Sequence, residues 1–193
     1  ASSPGKAAAR AALQLPEQNF VVLFSGKLID KKRPLDLVKA FHQAAIPHST
    51  LVLLGDGALM NEIQTFIRTH GVANILLPGF VNQSALAPWF FAADIFVLPS
   101  VSGETWGLVN NEAMNFGLPI LVSNLVGSAA DLVEEGINGY SFEPGNIGQL
   151  STLLQKAAAA PEWRTKAGKA SRDKIKAYSY QTIIKNLENT LNS

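Results

Sequence analysis

The sequence predicts an α/β domain, a parallel sheet of about six strands with helices on both faces. Three observations carry that expectation. Short apolar runs alternate with stretches of helical periodicity along most of the chain. Most runs end in turns bearing glycine or proline, as strands feeding helices do. A length of 193 residues suits one well-cored domain and is short for two, so 1–193 is read as a single unit.

Residues 7–12, rich in alanine and followed by Leu13, read as a short leading helix within a lead-in segment, 1–18. The run 20–24 is the first strand and ends at Ser25-Gly26. Pro34, a favourable first helical residue, opens a helix carrying Leu35, Leu37, Val38 and Phe41 at core spacing. The second strand, 51–54, ends in Gly55-Asp56-Gly57, before a helix through Ile63, Phe66 and Ile67. That glycine pair is not a dinucleotide fingerprint. It lacks the third glycine and the acid at a following strand end, so it reads as a strand-to-helix turn. The third strand, 75–77, leads to a short helix over 86–91. The apolar run 95–98 reads as a buried fourth strand. A loop with Gly103 and Gly107 follows, then a helix, a strand at 120–122, a helix near 129–134 and a strand at 139–142. Residues 124–128 are expected to form a mobile rim loop, with Gly127 giving backbone freedom. Past Pro144 the pattern is helical, over 148–159, 162–177 and 180–191.

Cysteine is absent, which excludes disulfides and thiolate metal sites and fits a reducing compartment. No apolar run approaches the roughly 18 residues of a membrane span, and no signal-peptide pattern opens the sequence. A cytoplasmic location is therefore expected. A net charge of +1 gives no bulk attraction to nucleic acid or membrane. The distribution of charge says more. Between Arg68 and Lys156 there is no Lys or Arg, while Asp94, Glu104, Glu112, Asp131, Glu134, Glu135 and Glu143 all fall there. An anionic ligand near Glu104 must take its cations from Lys27, Lys31, Lys32 and Arg33. The alternative for that cluster is a solvated basic turn, and the basic stretch after Lys156 has the spacing of a solvated face. His42, His48 and His70 show no ligand spacing with carboxylates, so no metal is expected.

Glu104 and Glu112 are the most informative pair, with seven residues between them. Glu104 belongs to the loop after the fourth strand, and Glu112 lies about one turn into the helix behind it. That edge of an open α/β sheet is where ligands bind. Two carboxylates there are placed to accept hydrogen bonds from the hydroxyls of a sugar or ribose. The alternative is a favourable charge near a helix start plus a solvated loop acid. The free amides of Gly107, Leu108 and Val109 at the positive helix end make an anion site. Gly107 is expected to let a ligand approach the backbone closely. Trp106 either walls the sugar pocket or packs against the next helix. Lys27, after Ser25-Gly26, puts an ammonium beside backbone amides, a combination suited to phosphate.

The order and spacing of several fragments resemble the retaining glycosyltransferases of family four, enzymes of the GT-B fold that use nucleotide-sugar donors. The fragments are 24–34 (Phe-Ser-Gly-Lys-Leu-Ile-Asp-Lys-Lys-Arg-Pro), 53–57, 77–81, Pro99-Ser100, the acid pair with Gly-Leu-Val before its second member, 117–122 and 136–142. Together they run from about Asn19 to about Tyr180. The resemblance implies a Rossmann-like three-layer α/β/α domain, the C-terminal, donor-binding half of that fold. It assigns Lys27 and Lys32 to the donor diphosphate and to stabilising it as it leaves, Glu104 to the transferred sugar and Glu112 to the ribose. Phe80 and Val81, after Gly79, would border the nucleobase, largely through backbone, so UDP and GDP stay open. Two departures stand out: Lys27 where the family usually has Arg, and Arg33 where it usually has Gly.

The resemblance further implies retention at the anomeric carbon, in carbohydrate biosynthesis, with the nucleotide sugar as substrate and no metal or other cofactor. An N-terminal acceptor-binding half would be the partner, and any contact with the cytoplasmic membrane face would run through it. This chain opens at Ala1 without Met, so an excised domain or one chain of a split enzyme, inactive alone, is expected. The segment 178–193 corresponds to the helix that crosses to the other half. Two other readings stand beside this one: a nucleotide or nucleotide-sugar binding module without transfer chemistry, and a protein resembling sugar-nucleotide epimerases. The sugar-facing acid Glu104 favours transfer over the first. The second lacks identifiable catalytic acids and bases.

Overall fold

The computed structural model describes residues 5–101 and 103–178. The expected helix over 180–191 lies outside them. In chain order the elements are α1 (Lys6–Ala12), β1 (Phe20–Ser25), α2 (Pro34–Ala44), β2 (Ser49–Leu54), α3 (Met60–His70), β3 (Ile75–Gly79) and α4 (Ala87–Ala92). Then come β4 (Ile95–Leu98), α5 (Leu108–Asn115), β5 (Ile120–Ser123), α6 (Ala129–Leu132), β6 (Gly139–Phe142), α7 (Ile147–Ala159) and α8 (Pro161–Ile175). Short 3-10 turns cover Asp30–Lys32, Gln83–Ala85 and Lys176–Tyr178.

The six strands form one parallel sheet in the order β3-β2-β1-β4-β5-β6. Helices α2, α3 and α7 pack together, as do α1 with α4 and α5 with α8. The result is the three-layer, Rossmann-like arrangement expected. The central strands β1, β2, β4 and β5 are buried along almost their whole length, which is why they read as continuous apolar runs. At the edge, β3 alternates between half-buried and exposed residues and accommodates Pro78, which a central strand would not.

Two helices depart by two residues from an expected end, the others by no more than one. The helix expected over 129–134 stops at Leu132, because buried Asn138 takes the next turn for itself. Its Nδ2 donates to Leu132 O at 2.8 Å and its Oδ1 accepts from the Glu134 N–H at 2.7 Å. The helix expected over 162–177 starts at Pro161 and tightens into a 3-10 turn after Ile175. Nor is α8 merely a solvated face. Arg172 donates to Phe116 O at 3.1 Å, and Arg164 lies over the Phe20 ring and donates to Ala158 O at 2.8 Å. No helix among the described residues is long and apolar enough to cross a membrane.

Candidate functional site

The strand order reverses between β1 and β4, and the loops leaving their C-terminal ends diverge there. Such a switch point opens a crevice at the C-terminal edge of a parallel sheet. The loop after β1 carries Gly26 and Lys27, and the loop after β4 carries Glu104.

The first loop is stapled to the turn after β2. Leu28 N–H donates to Asp56 O at 2.9 Å, and Leu59 N–H to Leu28 O at 2.9 Å. The backbones meet so closely that a Cβ on Gly55 (φ +138°) would lie 1.9 Å from Gly26 O. The Gly-Asp-Gly sequence is thus the strand-to-helix turn expected, and it also supports the Lys27 loop from below. Farther along, the turn Asp30–Lys32 is joined to the β4 loop, with Val101 N–H donating to Lys31 O at 2.9 Å. Arg33 follows in a left-handed conformation, φ +51°. Such a backbone suits Gly, the residue the resembling family usually has there. The Arg33 side chain turns away to Asp36, Nε to Oδ2 at 2.8 Å. Of the four cations expected to serve an anion, Lys27 and Lys32 line the crevice and Arg33 is committed elsewhere.

The crevice has two lobes. One, of about 610 Å³, is bounded by Gly26, Lys27, Gly55, Phe80, Val81 and Glu112. The other, of about 550 Å³, is bounded by Lys32, Glu104, Trp106, Gly107, Leu108 and Val109, and it shares Gly26, Lys27 and Glu112 with the first. Gly26, Lys27, Lys32, Phe80, Val81, Glu104, Trp106, Gly107, Leu108, Val109 and Glu112 each line one lobe or both, whereas Lys31 and Arg33, also expected to supply cations, line neither.

Their electrostatics differ. Lys32 Nζ and Glu104 Oε2 form an ion pair, both side chains mostly buried. Glu112 is half-buried, and burial pushes its carboxyl up from the ordinary Glu value. No hydrogen bond or ion pair engages that carboxylate among the described residues. Trp106 donates from Nε1 to Asn111 Oδ1 at 2.9 Å, and its ring lies 5.7 Å from that of Tyr178. It is therefore both packed and a wall of the second lobe. Phe80 and Leu108 stand 75% and 71% exposed on the rims, far outside what packing would ask of them.

Two glycine expectations are corrected. A Cβ on Gly107 would point inward, 2.9 Å from Leu98 Cδ2 and 3.1 Å from Val126 Cγ1. That glycine answers its left-handed φ of +78° and the packing beneath α5, not the approach of a ligand. Gly127 is likewise no source of freedom. A Cβ there would lie 1.8 Å from Thr105 O, and its N–H donates to Glu104 O at 2.9 Å. The 124–128 loop is clamped to the Glu104 loop. Sequence reading missed this contact, along with buried Asn110 and Ser128 beside it. Two asparagines at 110–111 in an otherwise apolar helix start were the available signal.

The histidines fall elsewhere. His42 is exposed, edge-on to Phe66 and His70. Among the described residues no group of three His, Cys, Asp or Glu is arranged to hold a metal ion.

With the geometry in hand, the comparisons decide the family. The profile of glycosyl transferases group 1 matches residues 5–174. The chain belongs to that family. It is 30% identical over 190 residues to the D-inositol 3-phosphate glycosyltransferase of Streptomyces griseus, covering 92% of this chain and 40% of that protein. It is 34% identical over 148 residues to an Escherichia coli UDP-Gal:alpha-D-GlcNAc-diphosphoundecaprenol alpha-1,3-galactosyltransferase, covering 74% and 37%. Among solved structures, the sucrose-phosphate synthase of Thermosynechococcus elongatus superposes with a TM-score of 0.84 at 27% identity, covering 95% of this chain and 47% of that one. The chain therefore spans between a third and a half of these proteins, and its fold is that of the C-terminal domain of the GT-B enzymes.

Proposed function

We propose that this chain is the donor-binding half of a retaining glycosyltransferase, holding a nucleotide-diphosphate sugar for an acceptor carried by a separate N-terminal domain. The observation that carries the reading is Glu112. A carboxylate kept half-buried without a partner, its charged form penalised by burial, is unfavourable in the fold by itself. Two ribose hydroxyls donating to it would remove that penalty.

The other groups fall into place around it. Lys27, Lys32 and the amides opening α5 face the diphosphate. The base lies in the lobe of Phe80, Val81 and Gly26, and the sugar in the lobe of Glu104 and Trp106. Lys32 already holds Glu104, so one ammonium links the phosphate and sugar subsites. In transfer, the bond from the anomeric carbon to the diphosphate breaks with its electrons staying on the diphosphate. The acceptor's hydroxyl oxygen bonds to the same face and passes its proton to the departing diphosphate oxygen. Cations aimed at the charge gathering on the leaving group lower the barrier, and in this reading no divalent metal is needed for donor binding. The work is cytoplasmic, and contact with a membrane belongs to the other half.

Calorimetric titration with UDP, GDP and ADP in excess EDTA tests the reading. UDP comes first, because the Escherichia coli relative is named for a UDP-galactose donor. Expected is metal-free binding of one nucleotide, weakened about 10- to 100-fold in Glu112→Ala by loss of charged hydrogen bonds. Binding that ignores Glu112→Ala, or that requires a metal, overturns the assignment.

A further inference from the structure

The loop between β5 and α6 touches the Glu104 segment at two consecutive residues. Gly127 N–H donates to Glu104 O at 2.9 Å, and the Gly127 and Thr105 backbones are too close for any side chain between them. Ser128, fully buried, accepts at Oγ from Asn110 Nδ2 at 3.2 Å. Asn110 lies in the first turn of α5, where its N–H donates to Gly107 O at 2.8 Å. These contacts close a bracket around the segment 104–107.

Asn110 is a poor choice for stability alone. It is 0% exposed, and its Oδ1 has no hydrogen-bond partner among the described residues. A buried acceptor left unpaired costs free energy that an apolar residue of similar volume would spare. In return Asn110 supplies the tie from α5 to Ser128.

We infer that Asn110 and Ser128, acting through Gly127, are positioning residues that hold Glu104 in register and so set the sugar-dependent part of donor affinity. This rests on Glu104 being the sugar-facing acid, as proposed above. The bracket reaches the Glu104 loop without touching Lys27, Glu112 or the lobe of Phe80 and Val81. Loosening it separates recognition of the sugar from recognition of the nucleotide.

The test uses Asn110→Leu, Ser128→Ala and the double variant, with two readouts. The first is amide hydrogen exchange in the ligand-free protein. Exchange at Gly127 is expected to rise about tenfold or more while the amides of β4 and β5 keep their protection. The Tm of Asn110→Leu is expected to change little, because loss of the unpaired acceptor offsets the Ser128 hydroxyl left unpaired. The second is the affinity for UDP, GDP and ADP against their glucose conjugates. The extra affinity brought by the sugar is expected to fall about tenfold, with the bare nucleotide unchanged within about twofold. The double variant should match either single one, because both break the same tie.

Unchanged exchange at Gly127 overturns the bracket. Faster exchange with the sugar contribution intact overturns the positioning role, as does equal loss for nucleotide and conjugate. If no nucleotide binds the unmodified protein, the donor reading fails and the sugar role falls with it, while the exchange data still decide the bracket. Should Asn110→Leu not fold, Ser128→Ala carries the same predictions alone.

Discussion

The two edges of the sheet enclose hollows of similar size and treat their charges in opposite ways. At the N-terminal edge, spaces of about 570 and 770 Å³ surround Asp94. Its carboxylate takes Lys6 Nζ at 2.5 Å, Arg10 at 2.7 Å and the Val21 N–H at 2.7 Å, with Arg164 at 4.0 Å. Buried Arg10 also donates to Ala92 O at 2.9 Å and to Glu17 O. Each of these charges is answered by another part of the fold. At the C-terminal edge Lys32 and Glu104 pair with each other, but Glu112 has no partner among the described residues, and Lys27 is exposed in the divide between the two lobes. Volume does not tell the edges apart, but partnering does. Charges mated within the chain hold α1 and α8 to the sheet, whereas Glu112 and Lys27, left without mates among the described residues, are the groups the proposed donor would engage.

The sharpest way to break this contrast is Asp94→Ala. It would leave Arg10 buried and unpaired and withdraw a bond from Val21, so unfolding in urea should show a loss of about 3–5 kcal/mol. Nucleotide affinity, measured where the variant is still folded, should not change. A loss below about 1 kcal/mol would put the N-terminal edge in the class of ordinary surface ion pairs.

Gly55→Ala should come next, and it should affect both properties. Its Cβ would collide with Gly26 O in a backbone conformation that side chains rarely adopt. Relieving that contact lifts the loop that carries Lys27. A stability loss of about 1–3 kcal/mol is expected, from strain and overpacking together. Because the displaced loop lines both lobes, nucleotide affinity should fall as well. Destabilisation with affinity intact would mean that the Lys27 loop does not take part in binding.

The same contrast explains what could be read from the sequence. The sheet was legible because burial on both faces writes itself as continuous apolar runs such as 20–24 and 95–98. That Lys27, Lys32, Glu104 and Glu112 meet in one crevice was legible because their order and spacing matched a known pattern. Partnering was not legible. Asp94 looked like one acid among seven in a stretch without cations, and nothing local marks Lys6, Arg10 and Arg164 as its mates 88, 84 and 70 residues away. The reasons for Gly107 and Gly127 were equally hidden. A glycine in a sequence does not say whether its missing side chain makes room for a ligand or for another strand of the same protein. Here the neighbour was Leu98 in one case and Thr105 in the other.

The smallest expected effect tests the open edge most directly. Burial raises the Glu112 carboxyl above its ordinary value of 4.5. Between that value and the raised one, the folded protein holds a proton that the unfolded chain has already lost. Stability therefore falls as pH rises through this window and stays lower above it. Glu112→Gln removes the charge while keeping the size. The variant should melt slightly higher than the unmodified protein at pH 7, and the difference should vanish as pH drops below the ordinary Glu value. Its nucleotide affinity should change in the opposite direction, because the amide loses the charged acceptor that ribose hydroxyls would use. Paired melting curves at pH 7 and pH 4 settle the sign. A Gln variant less stable at pH 7, with the gap closing in acid, would mean that Glu112 has a stabilising mate in the fold. The carboxylate would then belong with Asp94, and the distinction between the two edges would fail at its most important residue.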